Sequence, residues 1–220
     1  MLRSIVVSFG LGAALLAGPL AAQEFEIGPR LGYVKFKEVT GIENAAMMGV
    51  DTRYKLGSHL AVGFRLDVAR PGTDGQYFSA EMTFSDTTLV MQVRQPLTII
   101  QYMATGEFET GGSFSLFANG GAGGYSIKMD PEATTGVNSV TEWAFAVGGG
   151  IRLRTGGGTS VRLEVQDLIY TNFNRNNLNP VEPRFAPVRF PDVVPLQPNY
   201  QGSAHNIYGA ISFIFTPGGR

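Results

Sequence analysis

Strict alternation of apolar and polar side chains, repeated in segment after segment, constrains this 220-residue chain more than any single motif does. Successive side chains of a strand point to opposite faces, so a period of two reads as β-structure with two different surfaces. The clearest case is Leu60–Ala69. Leu60, Val62, Phe64, Leu66 and Val68 share one face, and Ala61, Gly63, Arg65, Asp67 and Ala69 share the other. Residues 25–36, 47–56, 142–154, 161–166 and 207–215 split in the same way, and 98–109 and 114–128 follow with less distinct phases. Helical 3.6-residue periodicity is hard to find anywhere. Eight strands are expected.

The connections sort by length. Gly57-Ser58, Gly111-Gly112 and Gly156-Gly157-Gly158 predict tight turns, and longer segments lie at about 37–45, 71–97, 129–139 and 172–203. Short and long connections alternate, as they do when short turns lie at one end of a sheet and long loops at the other. Within 71–97, Phe78, Ala80, Met82 and Phe84 alternate with their neighbours, and so do Leu89, Met91 and Val93. An extra hairpin there gives ten strands if it joins the wall and eight if it stays outside. The run Gln95-Pro96-Leu97-Thr98 favours eight.

What the polar faces carry decides what covers the apolar ones. A soluble barrel is apolar inside and polar outside, whereas these polar faces hold charges of both signs beside glycine and alanine. Arg30, Arg53, Lys55, Arg65, Arg152, Arg154 and Arg162 are matched by Asp51, Asp67, Glu107, Glu109, Glu142 and Glu164. An eight-stranded barrel has an interior just wide enough for side chains to fill, so paired long charges beside small residues fit that interior. Lipid then covers the apolar face, and closure leaves no backbone edge unpaired. The competing picture is a soluble sandwich with one solvated face. Aromatic placement opposes it: Phe25, Tyr54, Phe114 and Phe215 fall near the expected periplasmic ends, and Tyr33, Trp143, Tyr170 and Phe173 near the extracellular ends, as two girdles. The expected fold is therefore all-β, a closed antiparallel up-and-down transmembrane barrel of eight strands, with ten as the alternative.

Composition agrees and excludes other classes. Charged residues make up 16% of the chain against about 25% in soluble domains. The chain has no cysteine, so disulfides, zinc ribbons and thiol nucleophiles are excluded, and its two histidines, His59 and His205, cannot make a histidine-rich metal site. A net charge of −1 provides no basic patch for nucleic acid. Residues 1–22 read MLRSIVVSFGLGAALLAGPLAA, with Arg3, an apolar run over 5–17, then small residues. This is a secretory signal by pattern, too short to span a membrane, with cleavage expected after Ala22. Two parts follow: a signal peptide, 1–22, and a barrel domain, 23–220.

The signal ending LAGPLAAQ, the glycine-rich FANGGAGGY (117–125) and FAVGGGIRLR (145–154), and the last strand IYGAISFIF (207–215) resemble small outer-membrane β-barrel domain proteins, the OmpA/OmpX/OmpW-like barrels of Gram-negative bacteria. The resemblance spans essentially the whole chain after the signal. It implies a place in the cell outer membrane, with outer-membrane lipid and the barrel-assembly machinery as partners. Many members end on an aromatic residue used in assembly, whereas here residues 216–220 follow Phe215. The family holds structural anchors, adhesion proteins, small-molecule pores and a few lipid-modifying enzymes, so the resemblance leaves activity open.

Little in the chain reads as chemistry. The run Gly120-Gly121-Ala122-Gly123-Gly124 lacks the Lys-Ser/Thr of a nucleotide loop and reads as a strand that admits bulky neighbours. His205, with Ser203 two residues before it, is the better general-base candidate at the outer rim; Ser58-His59 lies in a periplasmic turn. Lipid-trimming family members pair a His and a Ser on one strand with a Glu elsewhere, but here the Ser comes first and no Glu stands beside the pair. No catalytic, cofactor or metal residue is assigned, and no cofactor is expected. Residues 172–200 hold Pro180, Pro183, Pro187, Pro191, Pro195 and Pro198 among Arg175, Arg184, Arg189, Phe173, Phe185, Phe190 and Tyr200. Such a loop can fold over the barrel mouth as a lid or meet an extracellular ligand. The expected role is an envelope structural or surface-interaction protein with a charge-filled lumen. The alternatives are a pore for small molecules and a lipid-modifying enzyme.

Overall fold

The computed structural model describes residues 25–84, 86–129, 139–179, 184–185, 188–189 and 198–217. Alternation becomes strands: β1 (Phe25–Lys35), β2 (Ala45–Lys55), β3 (Leu60–Ala69), β4 (Ser79–Phe84), β5 (Thr87–Gln92), β6 (Leu97–Glu109), β7 (Phe114–Met129), β8 (Ser139–Gly156), β9 (Thr159–Asn174), β10 (Arg184–Phe185), β11 (Val188–Arg189) and β12 (Gln201–Phe215). Eight of them close a barrel in the order β1-β12-β9-β8-β7-β6-β3-β2. The seam is antiparallel, from Ile27 opposite Phe215 to Lys35 opposite Ile207. Closure matters energetically, because an open edge in hydrocarbon would leave a row of unpaired amides and carbonyls.

The hairpin β4–β5 forms a separate two-stranded sheet, and β3 pairs directly with β6 from Leu60 opposite Phe108 to Ala69 opposite Ile99. The wall has eight strands, and the ten-strand alternative falls. Pro96 bridges Gly72, and the Leu97 amide donates to the Pro71 carbonyl at 2.8 Å, so the chain returns to the wall at Leu97. The short connections behave as their glycines require. Gly156, Gly157 and Gly158 all have positive φ, 89°, 60° and 73°, a run that side chains with a Cβ rarely accept.

Outside the wall, one face of every barrel strand is exposed and apolar, with Leu31, Met48, Phe64, Leu116, Val165 and Phe213 in the band. Phe25, Tyr54, Phe114 and Phe215 at the short-turn end, and Tyr33 and Trp143 at the long-loop end, point outward as girdle residues. Tyr170 and Phe173 do not. Both are buried inside: Tyr170 lies on the lumen side of β9, and the positive φ of Asn172, 51°, beside the register shift against β12, turns Phe173 inward, which corrects their assignment to the outer girdle. Residues 1–22 and the prolines of the 172–200 loop other than Pro198 lie outside the described residues.

Candidate functional site

Among the described residues the lumen is where the fold concentrates buried charged groups, and it is built in two storeys. In the half nearer the short turns, arginines from five strands meet carboxylates from five. Arg162 is fully buried and reaches Asp51 at 2.9 Å, Glu107 in close contact, and Glu164 at 3.7 Å. Arg53 bonds Glu107 at 2.8 Å and Glu26 at 3.2 Å, and Arg152 joins Glu109 at 3.2 Å to Glu26 in a shorter contact. Arg65 pairs with Glu164 at 3.1 Å and donates to Gln166 at 2.6 Å, while Arg30 pairs with Asp67 at 3.3 Å. Uncharged groups take up remaining valences: Asn119 donates to Glu164 at 3.0 Å and accepts from Gln166 at 2.9 Å. Buried ions are tolerated only when paired and hydrogen-bonded, and here every carboxylate except Asp67, which meets Arg30 alone, is shared between cations.

Two glycines make room for this network. A Cβ on Gly32 would come within 2.5 Å of the Tyr208 ring, whose face carries the Arg30 guanidinium at 4.9 Å. A Cβ on Gly150 would meet the Phe117 ring at 2.9 Å, and that ring lies under Arg162 at 4.0 Å. Each missing side chain lets an aromatic ring lie flat as a platform for a cation.

The half nearer the long loops is apolar. Val34, Met47, Leu97, Ile99, Met103, Ile127 and Leu168 are buried around Tyr125 and Tyr170, whose rings stack 4.1 Å apart at 8°. Polar tips are satisfied locally: Tyr170 donates to Gln101 at 3.1 Å and Tyr125 to the Thr171 carbonyl at 3.0 Å. Above them, loop residues Ile42, Tyr77, Phe78 and Leu178 complete the same core. Burial, together with the nearby Glu38, pushes the Tyr77 phenol above its ordinary range. Arg175 clasps this cap, with its guanidinium 4.8 Å from the Tyr77 ring centre and bonds to the carbonyls of Val39, at 2.9 Å, and Pro198.

Of the charges read from alternation, all but Glu142 enter the ion network; Glu142 sits higher and accepts from Asn172 at 3.3 Å. Glu26 was missed and proves central, bonded to Arg53, Lys55 and Arg152. Its place in the alternation, between outward Phe25 and Ile27, is the signal that finds it. Arg175, read as part of a loop that is a lid over the mouth or a ligand surface, is turned inward. Side chains of β10 and β11 lie outside the described residues. His205 lies on the outer face of β12, where its Nδ1 is 2.7 Å from Asp167 Oδ2. That acid comes from β9, 38 positions away in the chain, which is why alternation could not associate the two. Ser203 shares the outer face, and its carbonyl accepts from the Tyr200 hydroxyl at 2.6 Å. His59, in the β2–β3 turn, contacts the Glu109 carbonyl through Nδ1 at 2.9 Å and stacks on Phe108.

The family model described as outer membrane protein beta-barrel domain matches residues 7–182. The chain belongs to that family. The barrel is therefore a protein of the outer membrane, its apolar band in lipid. Among solved structures it is similar to Neisserial surface protein A, at 9% identity, covering 87% of this chain and 96% of that one with a TM-score of 0.53. It is also similar to Ail of Yersinia pestis in complex with the heparin analogue sucrose octasulfate, at 13% identity, 87% and 99% coverage and a TM-score of 0.43. A third is the N-terminal β-barrel domain of Pseudomonas aeruginosa OprF, at 7% identity, 88% and 100% coverage and a TM-score of 0.39. At 9% identity, the likeness to Neisserial surface protein A speaks to the fold alone. No curated protein matches with significance.

Proposed function

We propose that this outer-membrane barrel is a sealed structural and surface-interaction protein of the bacterial envelope, and neither a pore nor an enzyme. The observation that carries this reading is the double obstruction of the lumen, by the ion network below and the Tyr125–Tyr170 core above. At the short-turn mouth, the cleft between Lys55, His59, Glu109 and Arg152 measures about 10 Å³, room for roughly one water. A solute would have to break several shared ion pairs and displace the stacked tyrosines at once. Function then belongs to what the barrel presents outside: a lipid-facing band and an extracellular cap of loops. Purified protein in planar bilayers is expected to show background conductance only. Sustained discrete openings would overturn this reading in favour of the pore.

The same reading includes export and assembly. Residues 1–22 act as a signal removed after Ala22, and the barrel-assembly machinery then inserts residues 23–220. Intact-mass measurement of protein extracted from outer membranes is expected to match a chain starting at Gln23. A mass that retains the first 22 residues would contradict it.

A further inference from the structure

Outside the barrel wall, where the extracellular ends of β1 and β12 meet the loops 36–44 and 70–78, lies a groove of about 520 Å³. It has no part in the lumen network. Its chemistry is layered along the membrane normal. At the lowest level, Ile207 ends the exposed apolar band of β12. Just below it, Gly209 stands opposite Tyr33, and a Cβ there would meet nothing within 4 Å, so the lipid-facing wall is notched.

A lysine and a histidine come next. Lys35 is the register partner of Ile207, is exposed, and makes no ion pair among the described residues. His205 lies two residues beyond Ile207 on the same outer face, and the Asp167 carboxylate at its Nδ1 orients the ring and leaves Nε2 for the groove. Above these, on the loops, are the carboxylates of Glu38, Asp74 and Glu43, the last paired with Arg94 at 3.1 Å, and the Lys37 ammonium, which donates to the Tyr200 hydroxyl at 3.1 Å; one oxygen of Asp74 accepts from the Gln76 amide at 2.9 Å. Apolar notch, nitrogen donors, then hydrogen-bond acceptors matches the order of an amphiphile with an acyl chain, a phosphate and hydroxyls. Size separates the candidates. The groove falls within the range of roughly 300–1,000 Å³ typical of ligand sites, and an aminoethyl phosphate headgroup would leave most of it unfilled.

We propose that this groove binds the headgroup of a phosphoglycolipid of the outer leaflet. Its phosphate sits at Lys35 and His205, its sugar hydroxyls donate to Glu38 and Asp74, and an acyl chain lies along the wall at Gly209. Asp167 is a positioning residue for His205. Charge-assisted contacts fix the phosphate and acceptor carboxylates fix the sugar.

Native mass spectrometry of the full barrel in detergent, titrated with a synthetic monophosphorylated diacyl glucosamine, tests this. One lipid per barrel is expected, with affinity falling about tenfold in K35A/H205A. The same glycolipid without its phosphate is expected to bind the unaltered barrel as weakly as the phosphorylated form binds that variant. Gly209→Leu fills the notch from the lipid side and is expected to weaken binding too. Both sites lie outside the lumen, and heat-modifiable gel migration verifies that each variant is folded. Undiminished binding by folded K35A/H205A would overturn the proposal, as would equal binding of the phosphate-free lipid. Equally tight binding of water-soluble glucosamine phosphate would make the ligand a free sugar phosphate and refute a lipid site. Equally tight phosphatidylethanolamine would refute the sugar. Conductance does not enter, so failure here leaves the sealed lumen standing.

Discussion

Arg162 shows what one side chain does in this barrel. It is fully buried, reaches Asp51, Glu107 and Glu164 on strands β2, β6 and β9, and rests on the ring of Phe117 from β7. Removing one member of a buried ion pair leaves the partners charged in a poor solvent, which typically costs about 3–5 kcal/mol. Arg162→Met is therefore expected to destabilise the barrel by about that amount, measured by urea unfolding in lipid vesicles. A change within about 0.5 kcal/mol, the range of an ordinary surface substitution, would show that the remaining arginines rearrange to cover the loss. The aromatic platforms carry the same lesson. Phe117 and Tyr208 lie flat only because Gly150 and Gly32 lack a Cβ, so two conspicuously small residues are part of the charge network without touching it.

Turns and strands use glycine for different physical reasons, and substitutions separate them. Gly157 sits in the β8–β9 turn at φ 60°, flanked by two more residues of positive φ. An L-residue in this left-handed region costs roughly 1–2 kcal/mol, so Gly157→Ala is expected to lower the unfolding free energy by about that much. Gly120 has the same identity and another role. It faces outward on β7, and a Cβ there would meet only the Ala146 carbonyl at 3.7 Å. Gly120→Ala is expected to leave stability within about 0.5 kcal/mol of the parent in the same unfolding experiment. Equal effects at the two sites would refute this division between a turn that needs positive φ and a strand that does not.

The molecule as a whole is a wall whose outside faces lipid and whose inside is filled. Trp143 is the single tryptophan of the chain and is 64% exposed on the outer face of β8. Brominated acyl chains are expected to quench most of its fluorescence in vesicles, with aqueous iodide quenching little. Strong iodide quenching alone would place that face in water and contradict the orientation of the barrel. The filled interior makes the loops part of the same body: Tyr77 and Phe78 from 70–78 and Leu178 from the β9 end pack on the barrel core, and Arg175 ties them to residues 39 and 198.

Alternation determined the barrel strands, most of their inward and outward faces and most of the residues that carry charge inside, because a period of two is a local property that every ten-residue segment displays by itself; closure at eight strands rather than ten was decided by the pairing of β3 with β6. Thr98 and its neighbours read less distinctly since the inner face of β6 turns from Glu107 and Glu109 to Leu97 and Ile99 toward the loops, which weakens the contrast between its two sides. Tertiary structure decided the rest. Which carboxylate meets which arginine depends on register and barrel closure, which bring Arg152 to Glu26, 126 positions away, and His205 to Asp167. Height along the strand suited Tyr170 and Phe173 to a girdle, but Tyr170 shares the lumen face of Glu164 and Gln166, and Phe173 joins it only through the backbone turn at Asn172, which alternation does not show.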